Sequence, residues 1–284
     1  MAQGRLLSEI AAAAGGVLHG ADRHIQHLSI DTRQPFHAED TLFIALRGKH
    51  HDGHRYIDAL RQRGMRCFLV ERGAVPHAEG DSMIAVDDTL EALQRLAAWH
   101  RAQFSLPVIG ITGSNGKTVV KEWLYQLLAQ DERIVRSPGS WNSQVGVPLS
   151  VWAISADDSL GIFEAGISEP GEMAALARII APDLGIFTNI GPAHSAGFPT
   201  DAAKTAEKAQ LFSHAKTVVY CADQPLVQAA LAQLKGPELR PWSRNGEAYL
   251  QVLKETIEGT ETRLSVVCEG RTTELLLPFT DSAS

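Results

Sequence analysis

"PVIGITGSNGKTVVKEWLYQLLA" (residues 107–129) is the stretch that decides the fold of this chain. It begins with an apolar run, passes through a glycine-containing turn and continues with the spacing of an amphipathic helix. Gly113 and Gly116 allow the backbone N–H groups of the turn to face a phosphate at the positive end of the helix. We therefore predict a strand, a phosphate-binding loop and a helix over residues 118–129. A glycine-rich turn without a ligand is the alternative, and the order of strand, turn and helix argues against it.

The predicted loop differs from the common phosphate-binding pattern. That pattern, G-x-x-x-x-G-K-[ST], requires glycine at the position where this chain has Ile111. Lys117 still follows the last glycine, where it can contact the β- and γ-phosphates, and Thr118 can offer its hydroxyl to Mg²⁺. The residues predicted to bind the nucleotide are Gly113, Ser114, Asn115, Gly116, Lys117 and Thr118.

The pattern of strand, turn and helix repeats after this loop. Apolar runs precede amphipathic helices in three further places: "LGIFEAG" before "GEMAALARII", "LGIFTNI" before "DAAKTAEKAQLF", and "KTVVYCAD" before "QPLVQAALAQL". This repeat indicates an α/β fold with a doubly wound, mostly parallel sheet, in which ligands gather beyond the carboxyl ends of the strands. The later segment "AYLQVLKETIEGTETRLSVVCEGRTTELLLPF" alternates β-type residues around two turns and predicts a C-terminal antiparallel β meander.

Two side chains follow predicted strands at the same edge of the sheet as the loop. Glu164 ends the strand "LGIFE", and His194 lies just past "LGIFTNI". With Thr118, a carboxylate and an imidazole can complete the coordination of Mg²⁺ ions at a phosphoryl-transfer site. Taken singly, Glu164 also fits a helix-capping role and His194 an ordinary surface loop. Their convergence on the nucleotide edge favours the metal hypothesis.

The residues before the loop form a separate α/β pattern. Four strand-like runs, "HLSI", "TLFIAL", "RCFLV" and "SMIAV", are separated by turns or helical stretches. A helix with Leu90, Leu93, Leu96 and Ala97 on one face ends before Pro107. We therefore predict an N-terminal α/β domain over residues 1–104 and a nucleotide-binding domain over residues 105–284.

Two polar segments are open to more than one interpretation. "GKHHDGHRY" contains three histidines and Asp52, but their spacing does not match a metal site on a regular element, so a solvated or ligand-contacting loop is the better interpretation. "GSWNSQVGVP" is predicted to be a polar loop whose Asn142 and Ser143 can bind a substrate. A plain connection explains this second segment equally well.

Composition limits the class of function. With 284 residues, 44% of them hydrophobic, the chain can build two domain cores. A net charge of −7 gives no basic excess for a nucleic-acid surface, and no run is long enough to span a bilayer, so no membrane insertion is expected. Cys67, Cys221 and Cys268 are odd in number and far apart, which predicts reduced packing residues in a cytoplasmic protein.

The motifs, in this order and spacing, resemble those of the Mur ligases, the ATP-dependent amide-forming enzymes of peptidoglycan synthesis. The segments that carry the resemblance are "VIGITGSNGKT", "FEAGISEPGEM", "TNIGPAH" and "EKAQLF". The loop of this family is T-G-x-N-G-K-[ST], which accounts for Ile111. "SIDTRQPFHAEDTLFIALRGKHHDGHRYIDAL" resembles the uridine-nucleotide-binding domain of the members that add the third residue or the terminal dipeptide. "EAGISEPGEM" is similar to the E-x-G-x-x-x-G-E of the dipeptide-adding members rather than to the E-x-S-S-H of the others.

The resemblance implies an ATP- and Mg²⁺-dependent ligase that joins D-alanyl-D-alanine to UDP-N-acetylmuramoyl-tripeptide through an acyl phosphate. It assigns Lys117 to the phosphates and makes Thr118, Glu164 and His194 metal ligands. Lys208 falls where several relatives carry a carbamylated lysine. Many relatives have glutamate two residues later, and this chain has glutamine there, which changes the local charge.

The resemblance also assigns substrate contacts. Asp31, Thr32 and Arg33, together with Arg47 and Gly48, fall on the nucleotide-sugar motif. Asn142 matches a substrate-loop asparagine, and Ser143 is next to it.

The family has a third, C-terminal domain that closes over ATP and holds the incoming amine. The resemblance therefore predicts that these 284 residues bind the nucleotide sugar without completing the ligase reaction alone. "SWNSQVGVPLSVW" and "PFTDSAS" are similar to a fused form in which an alanine racemase domain follows. A third-residue-adding ligase, a folyl-polyglutamate synthetase and a nucleotide-binding module that forms no bond are the alternatives.

Overall fold

A computed structural model describes residues 4–33, 36–48, 51–191, 197–278 and 280. The chain forms two compact units. The first extends to Ser105 and also contains Gln144–Asp158, and the second contains Leu106–Ser143 and the residues from Ser159 onward. The division into a substrate domain (1–104) and an ATP-binding domain (105–284) stays a prediction, and by its contacts the segment Gln144–Asp158 belongs to the first unit.

The described strands, in chain order, are β1 (Arg5–Leu6), β2 (Val17–His19), β3 (His24–Ile25), β4 (His27–Ser29), β5 (Thr41–Ile44), β6 (Cys67–Glu71), β7 (Ser82–Val86), β8 (Val108–Thr112), β9 (Ile134–Arg136), β10 (Leu160–Glu164), β11 (Leu184–Phe187), β12 (Thr217–Cys221), β13 (Glu238–Ser243), β14 (Leu250–Glu258), β15 (Glu261–Cys268) and β16 (Arg271–Leu277). The helices are α1 (Leu7–Ala14), α2 (Ile57–Gln62), α3 (Thr89–Arg101), α4 (Lys117–Leu128), α5 (Gly146–Trp152), α6 (Glu172–Ile180), α7 (Asp201–Ala209) and α8 (Pro225–Leu231). Short 3₁₀ turns occupy Gly53–Tyr56 and Gln210–Phe212.

The first unit is built on a five-stranded sheet in the order β2-β7-β6-β5-β4. Its strands are parallel except β2, which pairs antiparallel with β7. Successive residues of β5 alternate between two apolar clusters. Leu42 and Ile44 pack with α1 and α3, whereas Phe43 packs with Ile57 and Leu60 of α2. Alternate residues of a strand point to opposite faces of the sheet, so β5 is covered on both faces. This arrangement confirms the α/β prediction for this part of the chain.

The segment after Ser143 corrects the prediction of a plain polar loop for "GSWNSQVGVP". Residues from Gly146 form α5, whose Val147 and Val151 are buried. The indole N–H of Trp152 donates a hydrogen bond of 3.2 Å to the carbonyl of Gln26. The loop is therefore shorter than predicted, because these apolar side chains find partners in the first unit.

The second unit is built on a nine-stranded sheet in the order β16-β15-β14-β13-β12-β11-β8-β10-β9. The pairs from β9 to β14 are all parallel. β8 lies between β10 and β11, so the chain order reverses on its two sides. Such a switch point at the carboxyl ends of parallel strands is where α/β proteins bind ligands. The doubly wound architecture predicted from the sequence is confirmed.

The predicted β meander is also present. β14, β15 and β16 pair antiparallel through the turns at Gly259 and Gly270. The meander is not a separate sheet, because β14 pairs in parallel with β13 and extends the nine-stranded sheet. β13 was not apparent in the sequence.

All three cysteines are free: Cys67 and Cys221 are buried, as predicted for packing residues, and Cys268 is partly exposed. Among the described residues, no helix combines the length and the apolar character needed to cross a bilayer.

We expect His100 of α3 to make the stability of the first unit depend on pH. Its Nε2–H donates to the carbonyl of Ile154 at 3.0 Å, and its ring centroid lies 4.5 Å from that of Trp152. Burial lowers the pKa of His100 from 6.5 to about 4. Because the unfolded chain binds a proton below 6.5 and the folded chain does not, the free energy of unfolding should decrease by about 3 kcal/mol as the pH falls from 6.5 to 4.

Urea unfolding at several pH values checks this expectation. A His100→Gln variant should lose most of the decrease, because the amide can donate to Ile154 without titrating. Replacing the exposed His19 with glutamine should leave the decrease unchanged. If the free energy of unfolding decreased equally with falling pH in wild type and His100→Gln, another group would be responsible.

Candidate active site

The predicted phosphate loop lies between β8 and α4 and is held by the segment that follows β11. Gly113 has φ +146°, and a Cβ there would lie 2.0 Å from the hydroxyl oxygen of Thr188. The Ser114 N–H donates to the carbonyl of Asn189 at 2.8 Å, and the Thr188 hydroxyl donates to the carbonyl of Asn115 at 2.6 Å. These contacts hold the loop in its observed conformation, which requires glycine at residue 113.

Gly116 and Lys117 form the junction with α4. Gly116 has φ +79° and is the N-cap of this helix. Lys117 is buried, and its Nζ donates to the carbonyls of Gly113 at 2.9 Å and Ser114 at 3.3 Å. Burial lowers the pKa of Lys117, and the nearby Glu164 carboxylate opposes this shift. The ammonium group thus lies over the loop, where an anion would be an additional partner.

Thr118 and Glu164 come together, as the sequence predicts. The Thr118 hydroxyl lies 3.1 Å from each carboxylate oxygen of Glu164, which has no exposed surface. Asn142 also belongs to this cluster, because its Nδ2 donates to Glu164 Oε2 at 3.1 Å. Hydroxyl and carboxylate oxygens are the ligands that Mg²⁺ prefers, so these two side chains fit the expected ion. No group of three or more His, Cys, Asp or Glu side chains with metal-binding geometry occurs within the described ranges.

The structure describes only one of two other predicted site residues, His194 and Lys208. His194 lies outside the described residues, so its role stays a prediction. Lys208 of α7 is buried, and its Nζ has no hydrogen-bond partner in the described part of the chain. Burial lowers the pKa of Lys208 to about 8, and the charges of Lys117 and Lys204 contribute to this shift. Lys208 is therefore close enough to Lys117 for their charges to interact, and its role in the site stays a prediction.

A cavity of about 470 Å³ adjoins the phosphate loop in the second unit. Its lining combines loop residues with polar and aromatic side chains from the neighbouring strands and their ends. Residues of this lining include Asn115, Gly116, Trp123, Asn189, Gln224 and Trp242. A space with both indole rings and amide groups suits the base and ribose of a nucleotide.

A second cavity, of about 480 Å³, lies in the first unit. Asp31, Thr32 and Arg33 line it together with Phe43 and Tyr56. Arg33 donates to both Asp31 oxygens, at 2.9 and 2.8 Å, and these hydrogen bonds lower the pKa of Asp31 to about 2. Three of the five residues of the predicted nucleotide-sugar motif thus line one cavity.

Arg47 and Gly48 do not line this cavity. The Arg47 guanidinium forms an ion pair of 2.6 Å with Glu71, and a second contact of 3.4 Å joins it to Asp52. The Gly48 N–H donates to the carbonyl of His51, which does line the cavity. Arg47 and Gly48 therefore lie beside the cavity, because Gly48 is hydrogen-bonded to His51 in its wall.

His54 is an exception within the loop predicted to be solvated or ligand-contacting, whose His51 lines the cavity. His54 is buried, and its Nδ1 lies 2.6 Å from the Asp52 carboxylate. Its Nε2 accepts a hydrogen bond of 3.0 Å from the N–H of Glu71, so Nδ1 is the nitrogen that donates to Asp52. His54 thus fixes Asp52, one of the two partners of Arg47. Nothing in the sequence of this 3₁₀ turn indicates that His54 is buried and holds Asp52.

Sequence analysis also missed two buried lysines in the second unit. Lys121 contacts Glu164, and Lys204 donates to the carbonyl of Gly191 at 2.5 Å. Lys121 and Lys204 each lie four residues from a lysine that the sequence did single out, on the same helical face. This spacing is the signal that could have identified them.

Comparison with known families agrees with this geometry. The model of the Mur ligase middle domain matches residues 111–280, and the model described as the catalytic domain of the Mur ligase family matches residues 24–101. The chain belongs to the Mur ligase family.

Individual Mur ligases extend the comparison. The UDP-N-acetylmuramoyl-tripeptide–D-alanyl-D-alanine ligase of Treponema pallidum is 39% identical over 219 residues, which are 72% of this chain and 47% of that protein. A crystal structure of MurF from Acinetobacter baumannii superposes on 99% of this chain, which corresponds to 62% of the MurF chain, with a TM-score of 0.89 and 22% identity. This likeness shows the fold. MurF ligase of Thermotoga maritima in complex with ADP matches 88% of this chain and 57% of its own, with a TM-score of 0.77 and 25% identity. The match spans about half of the length of the curated relative.

Proposed function

We propose that this chain provides the nucleotide-sugar-binding and ATP-binding parts of a ligase that adds D-alanyl-D-alanine to UDP-N-acetylmuramoyl-tripeptide. The observation that carries the proposal is the contact of the Thr118 hydroxyl with both oxygens of Glu164 beside a glycine loop. The Treponema pallidum relative, named for this reaction, supports the choice of substrates. The free cysteines and nucleotide-linked substrates suit a cytoplasmic protein.

ATP binds in the second unit under this proposal. Its triphosphate lies on the backbone N–H groups of residues 113–116 and beside Lys117, and its nucleoside occupies the adjoining cavity. Thr118 and Glu164 would hold Mg²⁺, with His194 proposed as a further ligand. When bound, the ion neutralises negative charge on the phosphates during transfer.

The proposed reaction has two steps. A carboxylate oxygen of the peptide attacks the γ-phosphorus of ATP, and ADP leaves with the electrons of the broken P–O bond. The amine of D-alanyl-D-alanine then attacks the carbonyl carbon of the acyl phosphate, loses a proton and expels inorganic phosphate. In this scheme, Lys117 stabilises the charge of the transferring group, and Asn142 and Ser143 orient the peptide substrate.

Lys208 is proposed to act in the same site. A buried amine with no hydrogen-bond partner and a lowered pKa can react in its neutral form with CO₂, as the family resemblance suggests. The charge around it differs from the family pattern, because Gln210 replaces a carboxylate. The Gln210 side chain instead donates to Glu207 at 3.2 Å.

The nucleotide sugar is proposed to bind in the cavity of the first unit. Arg33 is the exposed cation of this cavity, with 87% of its side chain accessible, and Arg47 is half exposed nearby. Both can contact phosphates, and their present carboxylate partners hold them in place.

Replacing either arginine should weaken binding of the nucleotide sugar. We expect Arg33→Ala and Arg47→Ala each to raise the Kd for UDP-N-acetylmuramoyl-tripeptide about tenfold, the typical cost of one charge-assisted contact. Isothermal calorimetry gives the two constants. Arg95→Ala, which removes an exposed helical ion pair in the same unit, is the control. Wild-type affinity in both variants would place the nucleotide site elsewhere.

Phosphate release from ATP tests the proposed function. The full-length ligase should release phosphate only when UDP-N-acetylmuramoyl-tripeptide and D-alanyl-D-alanine are both present. Release that does not depend on the nucleotide sugar would favour a nucleotide-binding module that forms no bond. Release that requires a shorter UDP-linked peptide and a third residue would favour the other type of Mur ligase.

A further inference from the structure

Lys121 is a buried cation whose role the proposed reaction does not yet explain. It has no exposed surface and lies one helical turn beyond Lys117 on α4. Its Nζ donates to the carbonyl of Ser137 at 2.7 Å, to the carbonyl of Gly139, and to Glu164 Oε1 at 3.1 Å. The Glu122 carboxylate is also 3.2 Å from this Nζ. Because an ammonium group has three donors, these contacts use its full capacity and fix its position.

The Glu164 carboxylate is held from both sides. Lys121 binds Oε1, and the Asn142 amide binds Oε2 at 3.1 Å. The Thr118 hydroxyl lies at the same distance, 3.1 Å, from the two oxygens. Lys121 and Asn142 therefore fix the plane of the carboxylate, and both oxygens face Thr118, the other proposed Mg²⁺ ligand.

Lys121 also holds the loop that carries Asn142. The carbonyls of Ser137 and Gly139 belong to this loop, which turns at Gly139 with φ +50°. The same loop contains the hydrogen bond from the Trp141 N–H to the carbonyl of Pro138. A single ammonium group thus joins the loop to the carboxylate.

We propose that Lys121 is a positioning residue that orients Glu164 toward Mg²⁺ and fastens the loop of residues 137–142 to the metal site. This inference rests on the proposed function. Lys121 acts through Glu164 and the loop, which are the partners that its ammonium group contacts. Outer partners of this kind typically change metal affinity 10- to 100-fold when they are removed.

The sign of the effect distinguishes this role from that of a simple counter-charge. Removing a cation near a metal site, with the ligands unmoved, should make a divalent ion bind more tightly. Removing a residue that orients a ligand should make it bind more weakly. Lys121→Met, which is similar in size and has no charge, therefore gives opposite results under the two hypotheses.

Mn²⁺ binding in the presence of a non-hydrolysable ATP analogue, followed by electron paramagnetic resonance, measures this effect. We expect Lys121→Met to weaken Mn²⁺ binding about 10- to 100-fold. In a Glu164→Gln background, the same substitution should have little additional effect, because the side chain through which Lys121 acts has lost its charge. Circular dichroism checks the fold, and Lys121→Gln replaces the methionine variant if that variant does not fold.

Hydrogen exchange of the loop provides a readout that does not involve the metal. Lys121→Met should increase exchange at the Trp141 and Asn142 amides, whereas Glu164→Gln should not, since the bonds of Lys121 to Ser137 and Gly139 remain. Tighter or unchanged Mn²⁺ binding in Lys121→Met, additive effects in the double variant, or unchanged loop exchange would each overturn the inference. Unchanged Mn²⁺ binding in Glu164→Gln would instead contradict the metal assignment in the proposed function.

Discussion

Replacing Lys117 with methionine in the full-length protein should reduce ATP-dependent phosphate release by at least about a hundredfold, while the protein stays folded. Loss of a single pre-positioned donor to a developing negative charge typically costs 10²–10³ in rate. Lys117 fits this role because its Nζ lies on the loop carbonyls of Gly113 and Ser114, and burial keeps it away from competing water. Methionine retains most of the packing volume and removes the charge.

The measurement is the initial rate of phosphate release at saturating substrates. Affinity for a non-hydrolysable ATP analogue is measured in parallel, because it does not depend on catalysis. Lys216→Met is the control, since Lys216 is an exposed lysine of the same unit that pairs with Asp183 outside the site. A folded Lys117→Met protein with near-normal rate and affinity would exclude the phosphate-loop assignment.

Replacing Gly113 with alanine should disrupt both the loop and ATP binding. The new Cβ would lie 2.0 Å from the Thr188 hydroxyl oxygen and 2.9 Å from the backbone of Asn189, and φ +146° is strained for any L side chain. Strain and steric overlap together should lower the free energy of unfolding by at least about 3 kcal/mol. Because Thr188 and Asn189 hold the loop, their displacement should also remove detectable binding of an ATP analogue.

Gly236→Ala separates the effect of backbone strain from that of steric overlap. Gly236 has φ +129°, and a Cβ at this residue would have no atom within 4 Å among the described residues, so its substitution introduces backbone strain without overlap. We expect a smaller loss of stability, about 1–2 kcal/mol, and unchanged ATP-analogue binding. Thermal or urea unfolding and calorimetry provide both quantities. Equal losses in the two variants would show that the close approach of Thr188 is not important.

The part of the site that the sequence predicted depends on short-range signals. Gly113 to Thr118 form one continuous segment after a strand, and Glu164 ends the next strand of a parallel sheet, so topology alone brings them to one edge. The contact of Thr118 with Glu164 confirms that reasoning. The α/β architecture followed in the same way from repeated strands and amphipathic helices.

The parts that could not be predicted depend on long-range contacts. Lys121 lies on a helix whose pattern suggests a solvated lysine, and it is buried only because the carbonyls of Ser137 and Gly139 approach it. β13 contains Pro241 and has mostly half-buried side chains, so its sequence lacks a clear strand signal. α5 is short and begins with glycine, and it is stabilised mainly by burial of its apolar residues in the first unit.

The most direct test of the central claim is the mass of the product formed by the full-length protein with ATP and Mg²⁺. The proposed function predicts that UDP-N-acetylmuramoyl-tripeptide gains one D-alanyl-D-alanine unit, with one ATP converted to ADP and phosphate for each product formed. Omission of ATP should abolish the product. Extension of a UDP-N-acetylmuramoyl-dipeptide by a single amino acid, or ATP hydrolysis without any peptide product, would contradict the account.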